Sequence, residues 1–137
     1  MRFIVLVKGN ADSEEDQLPP KEMIEEMETF NERLERDGIL RYAEGLRPTK
    51  AGARIEFGGK TPVVSRGPFN TGELIAGYWV IETKSLDAAI DAMTQAPFPG
   101  GQIEIRQLHE DEDFSFAPEL VAREKALRAK LEQRRPS

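Results

Sequence analysis

Apolar residues crowd the start of the chain. Arg2-Phe3-Ile4-Val5-Leu6-Val7-Lys8 places hydrophobic side chains at odd and even positions alike, the pattern of a β-strand covered on both faces. After a polar loop from Gly9 to Gln17, Pro19-Pro20 opens a segment in which Met23, Met27, Phe30 and Leu34 recur at spacings of 4, 3 and 4, one stripe of an amphipathic helix. Proline suits the first helical position because its missing N–H would have no partner there. Asp37-Gly38 is the stop, since glycine tolerates the left-handed position that closes many helices. The predicted helix spans 20–37.

A strand over 39–44 and a turn region around 45–51 come next. Ala53-Arg54-Ile55-Glu56-Phe57 alternates with period two, Gly58-Gly59 marks a turn and Pro62-Val63-Val64-Ser65 returns, which together read as an inserted β-hairpin. Gly67-Pro68-Phe69-Asn70-Thr71-Gly72 is a shaped loop. The predicted strand over 74–83 is again apolar on both sides, with Ile75, Trp79 and Ile81 on one and Leu74, Ala76, Tyr78 and Val80 on the other. Tyr78 and Trp79 therefore point opposite ways, and Trp79 is assigned to the core. Ser85 is a good N-cap, and Asp87 complements the helix dipole. Leu86, Ala89, Ile90 and Met93 give a second buried stripe on a helix ending near Pro97. After Gly100-Gly101, residues 102–108 alternate as a final strand.

The order β-α-β, hairpin, β-α-β predicts an α+β, ferredoxin-like βαβ(ββ)βαβ subunit with an inserted β-hairpin. Its two helices cover one face of an antiparallel sheet. The first strand and the 74–83 strand are apolar on both faces, so the second face needs a cover, and a second copy of the sheet is the expected one. Burying five medium side chains there contributes very roughly 5–10 kcal/mol before association costs. The sequence thus predicts a homodimer.

The end of the chain differs in character. Acidic Glu110-Asp111-Glu112-Asp113 precedes Phe114, Phe116 and a predicted extra C-terminal helix over 118–134, with Leu120, Leu127 and Leu131 spaced by 7 and 4. From Arg123 to Arg135 there are six basic residues and two acidic ones. The expected division is a body over 1–109 and an acidic linker with its helix over 110–137. Such a leucine stripe ordinarily docks on the body or on the dimer mate, the alternative being a separate protein partner.

Composition narrows the function. A chain of 137 residues holds one core, and 39% hydrophobic with 32% charged residues makes it a soluble globular domain. The net charge of −6 has the wrong sign for a protein whose main task is to neutralise nucleic-acid phosphates. No apolar run approaches the roughly 18 residues of a membrane span, and Phe3 to Val7 is too short for a signal-peptide core. A chain without a leader is expected. The absence of cysteine removes disulfides, thiolate zinc sites and cysteine nucleophiles, and fits a cytoplasmic location.

His109 is the single histidine. Adjacent acids on an extended chain diverge, so no metal site is predicted beside it. A solvated histidine whose cationic form its neighbours favour is the expectation. Neither phosphate-binding glycine motif occurs, so no nucleotide cofactor is expected, and one histidine leaves little room for a hydrolase triad.

Two segments carry more information: Tyr42-Ala43-Glu44-Gly45-Leu46-Arg47-Pro48, and Ser65-Arg66-Gly67-Pro68-Phe69 followed by Glu73-Leu74-Ile75-Ala76-Gly77-Tyr78-Trp79. With the closing Gly100-Gly101-Gln102-Ile103-Glu104-Ile105-Arg106, this set resembles the YCII-related domain family, in particular its branch named for an Asp-Gly-Pro-Phe motif. The resemblance runs from the first strand to about Leu108. It implies a dimeric α/β barrel of ferredoxin-like subunits, a biochemical role that is mostly unassigned, and a suspected active cleft near the Gly-Pro-Phe loop.

The chain departs from the motif at Arg66, which stands where the branch has aspartate, and keeps Glu73 as the final acid of the loop. Arginine cannot serve as a base near neutral pH, but it can hold an anion through a bidentate fork. Gly67, Pro68 and Phe69 read either as the wall of a ligand site or as a tight connection locking the hairpin to the central strand. Glu44 is the candidate general acid or base, provided that it points into a cleft beside Tyr78 where burial raises its pKa. Otherwise it is a strand-end carboxylate paired with an arginine such as Arg47. The expected function is binding of a small anionic or aromatic organic ligand in a cleft of each subunit, by an enzyme or an enzyme remnant. The alternative is a non-catalytic dimeric binding or regulatory module that offers its C-terminal helix to a protein partner.

Overall fold

The alternating faces of the first strand decide the architecture. In the computed structural model, which describes residues 1–15, 18–70 and 72–134, β1 (Arg2–Lys8) pairs antiparallel with β5 (Ile75–Glu82) and β6 (Ile103–Gln107). β2 (Leu40–Gly45) pairs antiparallel with β5 on its other side, giving the order β2-β5-β1-β6. The inserted ribbon, β3 (Ala53–Glu56) and β4 (Val63–Arg66), is a separate two-stranded sheet. Helices α1 (Lys21–Arg36), α2 (Leu86–Met93) and α3 (Pro118–Gln133) complete an α+β fold compatible with a ferredoxin-like one. The chain divides into two compact units, Met1–Gln107 and Leu108–Ser137. Gln17, Thr71 and Arg135, which figured in the sequence patterns, lie outside the described residues.

In the first unit, Phe3, Val5, Trp79 and Ile81 on one sheet face meet Phe30 and Leu34 of α1 and Ala89 and Met93 of α2. Trp79 is in the core as expected, edge-on to Phe30 and Phe98 at 6.0 and 5.9 Å between ring centres, and its Nε1–H donates to Asn31 Oδ1 at 2.8 Å. Each local signal has its counterpart. Gly38 takes φ 73° after α1, and the Ser85 hydroxyl oxygen accepts from the Ala88 N–H at 3.1 Å. Pro20 sits one place earlier than expected, as the residue before the first helical one, and its carbonyl begins the α1 ladder.

The helical stripes are less covered than their spacing implied. Met23 is 39% exposed, Leu86 47% and Ile90 41%, so α2 buries only Ala89 and Met93. A helix of eight residues has too few turns to press its whole apolar stripe onto the sheet.

On the opposite sheet face, strand register lines up Glu44, Tyr78, Leu6 and Glu104 in one row and Tyr42, Val80, Ile4 and Arg106 in the next. Ile4, Leu6, Tyr78 and Val80 are half-buried there and stand outside the core.

In the second unit, a single 3₁₀ turn over Asp111–Phe114 is closed by a reciprocal capping box between Glu110 and Asp113. In α3, Leu120, Leu127 and Leu131 are 53%, 52% and 54% exposed. Among the described residues, no helix is long and apolar enough to cross a membrane.

Candidate functional site

Glu44 and Tyr78 are direct cross-strand partners. Strands β2 and β5 approach closely there: a Cβ on Gly77 would lie 2.9 Å from the Glu44 carbonyl oxygen. Both side chains point to the face away from the helices. Glu44 is exposed and has no ion pair with Arg47 or with any other described residue. Two residues beyond Leu6 on β1, Lys8 Nζ lies 2.9 Å from Glu73 Oε2 and 3.1 Å from Glu104 Oε1, with only 14% of its side chain exposed. Hydrogen bonding, first to Glu73 and then to Glu104, raises the Lys8 pKa above its ordinary value, and the Lys8 ammonium lowers that of Glu104. The loop's last acid is thus tied to the first strand.

The Gly-Pro-Phe loop is fastened elsewhere. The Gly67–Pro68 peptide is cis, and the Gly67 N–H donates to the Gly52 carbonyl at 3.0 Å. The Phe69 N–H donates to Thr49 Oγ1 at 2.8 Å, and that hydroxyl donates to the Glu14 carboxylate, which also accepts from the Thr49 N–H. The Arg54 guanidinium lies 4.1 Å from the centre of the Phe69 ring. Gly67 and Phe69 therefore join the base of the ribbon to the 49–52 turn and to the β1–α1 loop. Arg66, at the end of β4 opposite Ala53, is exposed.

A third neighbourhood was not foreseen. A cleft of about 1350 Å³ opens where β1 and β2 end and β6 begins, walled by the β1–α1 loop, the start of α1 and the end of α2. Four large apolar residues that the fold leaves exposed, Leu18, Met23, Leu46 and Ile90, converge on it, with Met93 and Phe98 beside them. Met23 and Ile90 are incompletely buried because they stand at the rim of this hollow, while Phe30, Leu34, Ala89 and Met93 of the same stripes pack in the core. The polar wall is ordered. The Asn10 N–H donates to Ser13 Oγ at 2.9 Å, the Ser13 N–H to Asn10 Oδ1 at 3.0 Å, and the Ser13 hydroxyl to the Asn10 carbonyl at 2.9 Å. Asp12, Glu15 and Arg47 also line the cleft.

None of Glu44, Arg66, Gly67, Pro68, Phe69 or Tyr78 lines this cleft, although Gly45 to Pro48 and Ala76, from the same two segments, do. Strand register brings Glu44 and Tyr78 together, and the hairpin base holds Gly67 and Phe69 with Thr49.

The sequence profile of the YCII-related domain matches residues 1–111. The chain belongs to the YCII-related domain family. No curated protein matches the chain. The match takes in the whole first unit of this YCII-related chain, and therefore the sheet, the fastened loop and the cleft; α3 lies outside it. His109 is exposed, with Nδ1 3.3 Å from Asp113 Oδ2. The Asp113 carboxyl is held below its ordinary pKa, first by the Glu110 N–H and then by His109. Among the described residues, no three histidine or carboxylate side chains gather as metal ligands would.

Proposed function

We propose that this YCII-related protein, a member of the Asp-Gly-Pro-Phe branch, works as a homodimer that binds a small anionic or aromatic organic molecule in a cleft of each subunit. The single observation that carries the reading is the convergence of Leu18, Met23, Leu46 and Ile90 on one open hollow. Scattered exposed apolar residues are ordinary, whereas several gathered in a concave place beside ordered polar groups suit a ligand. In the dimer, the two open sheet faces cover one another and form an α/β barrel. Were the ligand held at the sheet face and hairpin base instead of in this cleft, the exposed Glu44 carboxylate beside Tyr78 would be the pair able to move a proton, and Arg66 could hold an anion but not accept a proton.

A thermal-shift screen of organic acids and aromatic compounds on the full chain tests the reading. Hits are re-measured by calorimetry in Ile90→Trp, which fills the hollow, and in Glu44→Gln and Arg66→Ala. Binding blocked by Ile90→Trp supports the cleft. A screen with no hit, or hits indifferent to that change, overturns it. Effects confined to Glu44→Gln and Arg66→Ala would move the site to the sheet face and the hairpin base.

A second reading is favoured by the half-exposed leucines of α3: a regulatory module offering that helix to a protein partner. Replacing Leu120, Leu127 and Leu131 together by serine would then remove the partner while leaving small-molecule binding intact. Lost folding instead would show that the stripe is docked.

A further inference from the structure

The cleft's charges specify its ligand more closely than its volume does. Among the described residues, four ionisable side chains line it: Lys8, Asp12, Glu15 and Arg47. Lys8 is committed to Glu73 and Glu104 at 2.9 and 3.1 Å. The other three have no ion pair among the described residues. Two uncommitted carboxylates thus stand on the β1–α1 loop and one uncommitted guanidinium on the segment after β2, around a lining supplied by Met23, Ile90, Met93 and Phe98. A purely anionic ligand would meet Arg47 favourably and Asp12 and Glu15 unfavourably; a purely cationic one would meet the reverse.

Resting on the small-molecule reading of this cleft, we infer that the ligand is a zwitterion with an apolar side chain, of the chemical class of a hydrophobic α-amino acid. Its carboxylate is taken by Arg47 in a bidentate pair. Its ammonium lies toward Asp12 and Glu15, which have no donor of their own to satisfy. The apolar side chain covers Met23, Ile90 and Phe98, and the Met23 sulfur suits an aromatic ring as well as an aliphatic one. Residues 10–14 of the β1–α1 loop are held in shape by the Asn10–Ser13 turn and by the Glu14–Thr49 contacts, which flank Asp12 and directly precede Glu15.

The test is calorimetric titration of the full chain with three matched probes: L-phenylalanine, 3-phenylpropionate and 2-phenylethylamine. Phenylalanine is expected to bind about tenfold or more tightly than either analogue, each of which lacks one charge-assisted contact. Arg47→Gln is expected to erase its advantage over the amine, and Asp12→Asn with Glu15→Gln its advantage over the acid. Phenylpropionate or phenylethylamine binding as tightly as phenylalanine overturns the inference. If one of them does so and Ile90→Trp blocks it, the small-molecule reading stands without the zwitterion. If none of the three binds while hits from the wider screen occupy the cleft, the inference alone falls; if the wider screen is silent too, both fall.

Discussion

Gly67 meets Thr49 backbone to backbone, so closely that a Cβ on Gly67 would overlap the Thr49 carbonyl oxygen. The position is restricted to glycine by contact, because Gly67 is not among the glycines with positive φ. Gly67→Ala must push the hairpin base away from the 49–52 turn, and is expected to cost about 1–3 kcal/mol, the usual range for overpacking. Urea denaturation of that variant beside Gly59→Ala measures it. At Gly59 the nearest atom to a Cβ is 3.7 Å away, so the control is expected to be close to neutral. Equal stability of the two variants would mean that the loop is not pinned as described.

Trp79 is the one tryptophan of the chain, and its Nε1–H has Asn31 Oδ1 as acceptor at the edge of the core. Asn31→Ala leaves that donor without its partner, an expected loss of about 1–3 kcal/mol. Trp79→Phe removes the N–H donor with the five-membered part of the indole and makes Asn31 expendable, so the double variant Trp79→Phe, Asn31→Ala should lose less than the sum of the two single changes. A double-mutant cycle in urea reads the coupling; strict additivity contradicts the hydrogen bond.

The elements were legible because their signals are local. The β-branched run of β1, the Ser85 cap and Gly38 each act within a few residues, and the structure places each where its chemistry requires. The facing of side chains on β5 followed from the same signals, since Trp79 and Tyr78 had to part to opposite faces. The cleft was not legible. Its lining comes from separate segments, and residues such as Met23 and Ile90 carry the same hydrophobic pattern whether they meet a packed core or a hollow. The sequence placed the end of the second helix near Pro97, so it gave no sign that α2 would stop at Met93 and leave some of its four apolar stripe positions uncovered. The Thr49–Phe69 bond was invisible for a related reason: a threonine in a turn region gives no sign that a residue 20 positions on will use its hydroxyl.

Lys8 and its two acids predict a pH dependence at both ends. The folded Glu104 pKa lies below its ordinary 4.5, so its contribution to stability is present above that value and is lost as pH falls through the folded one. The folded Lys8 pKa lies above 10.5, so its contribution is present below 10.5 and is lost as pH rises through the folded value. Lys8→Met is expected to flatten both limbs of a plot of urea midpoint against pH and to leave neutral-pH folding intact. Limbs unchanged from the parent would mean that the Lys8–Glu104 pair does not set them.

The open sheet face makes the dimer testable apart from any ligand. Ile4, Leu6, Tyr78 and Val80 form its apolar centre, with Glu44 on one flank and Glu104 and Arg106 on the other. A charge at the centre has no partner once water is excluded, and its desolvation opposes association strongly. The same charge costs the isolated subunit little, because Leu6 is only half-buried and the core lies on the other face, against Val5. Sedimentation velocity at micromolar concentration is expected to give a dimer for the parent chain and a monomer for Leu6→Glu. The emission of Trp79, buried on the helix side, should stay native in both. A parent chain that sediments as a monomer, or a Leu6→Glu chain that remains dimeric, would remove the sheet face as the contact between copies.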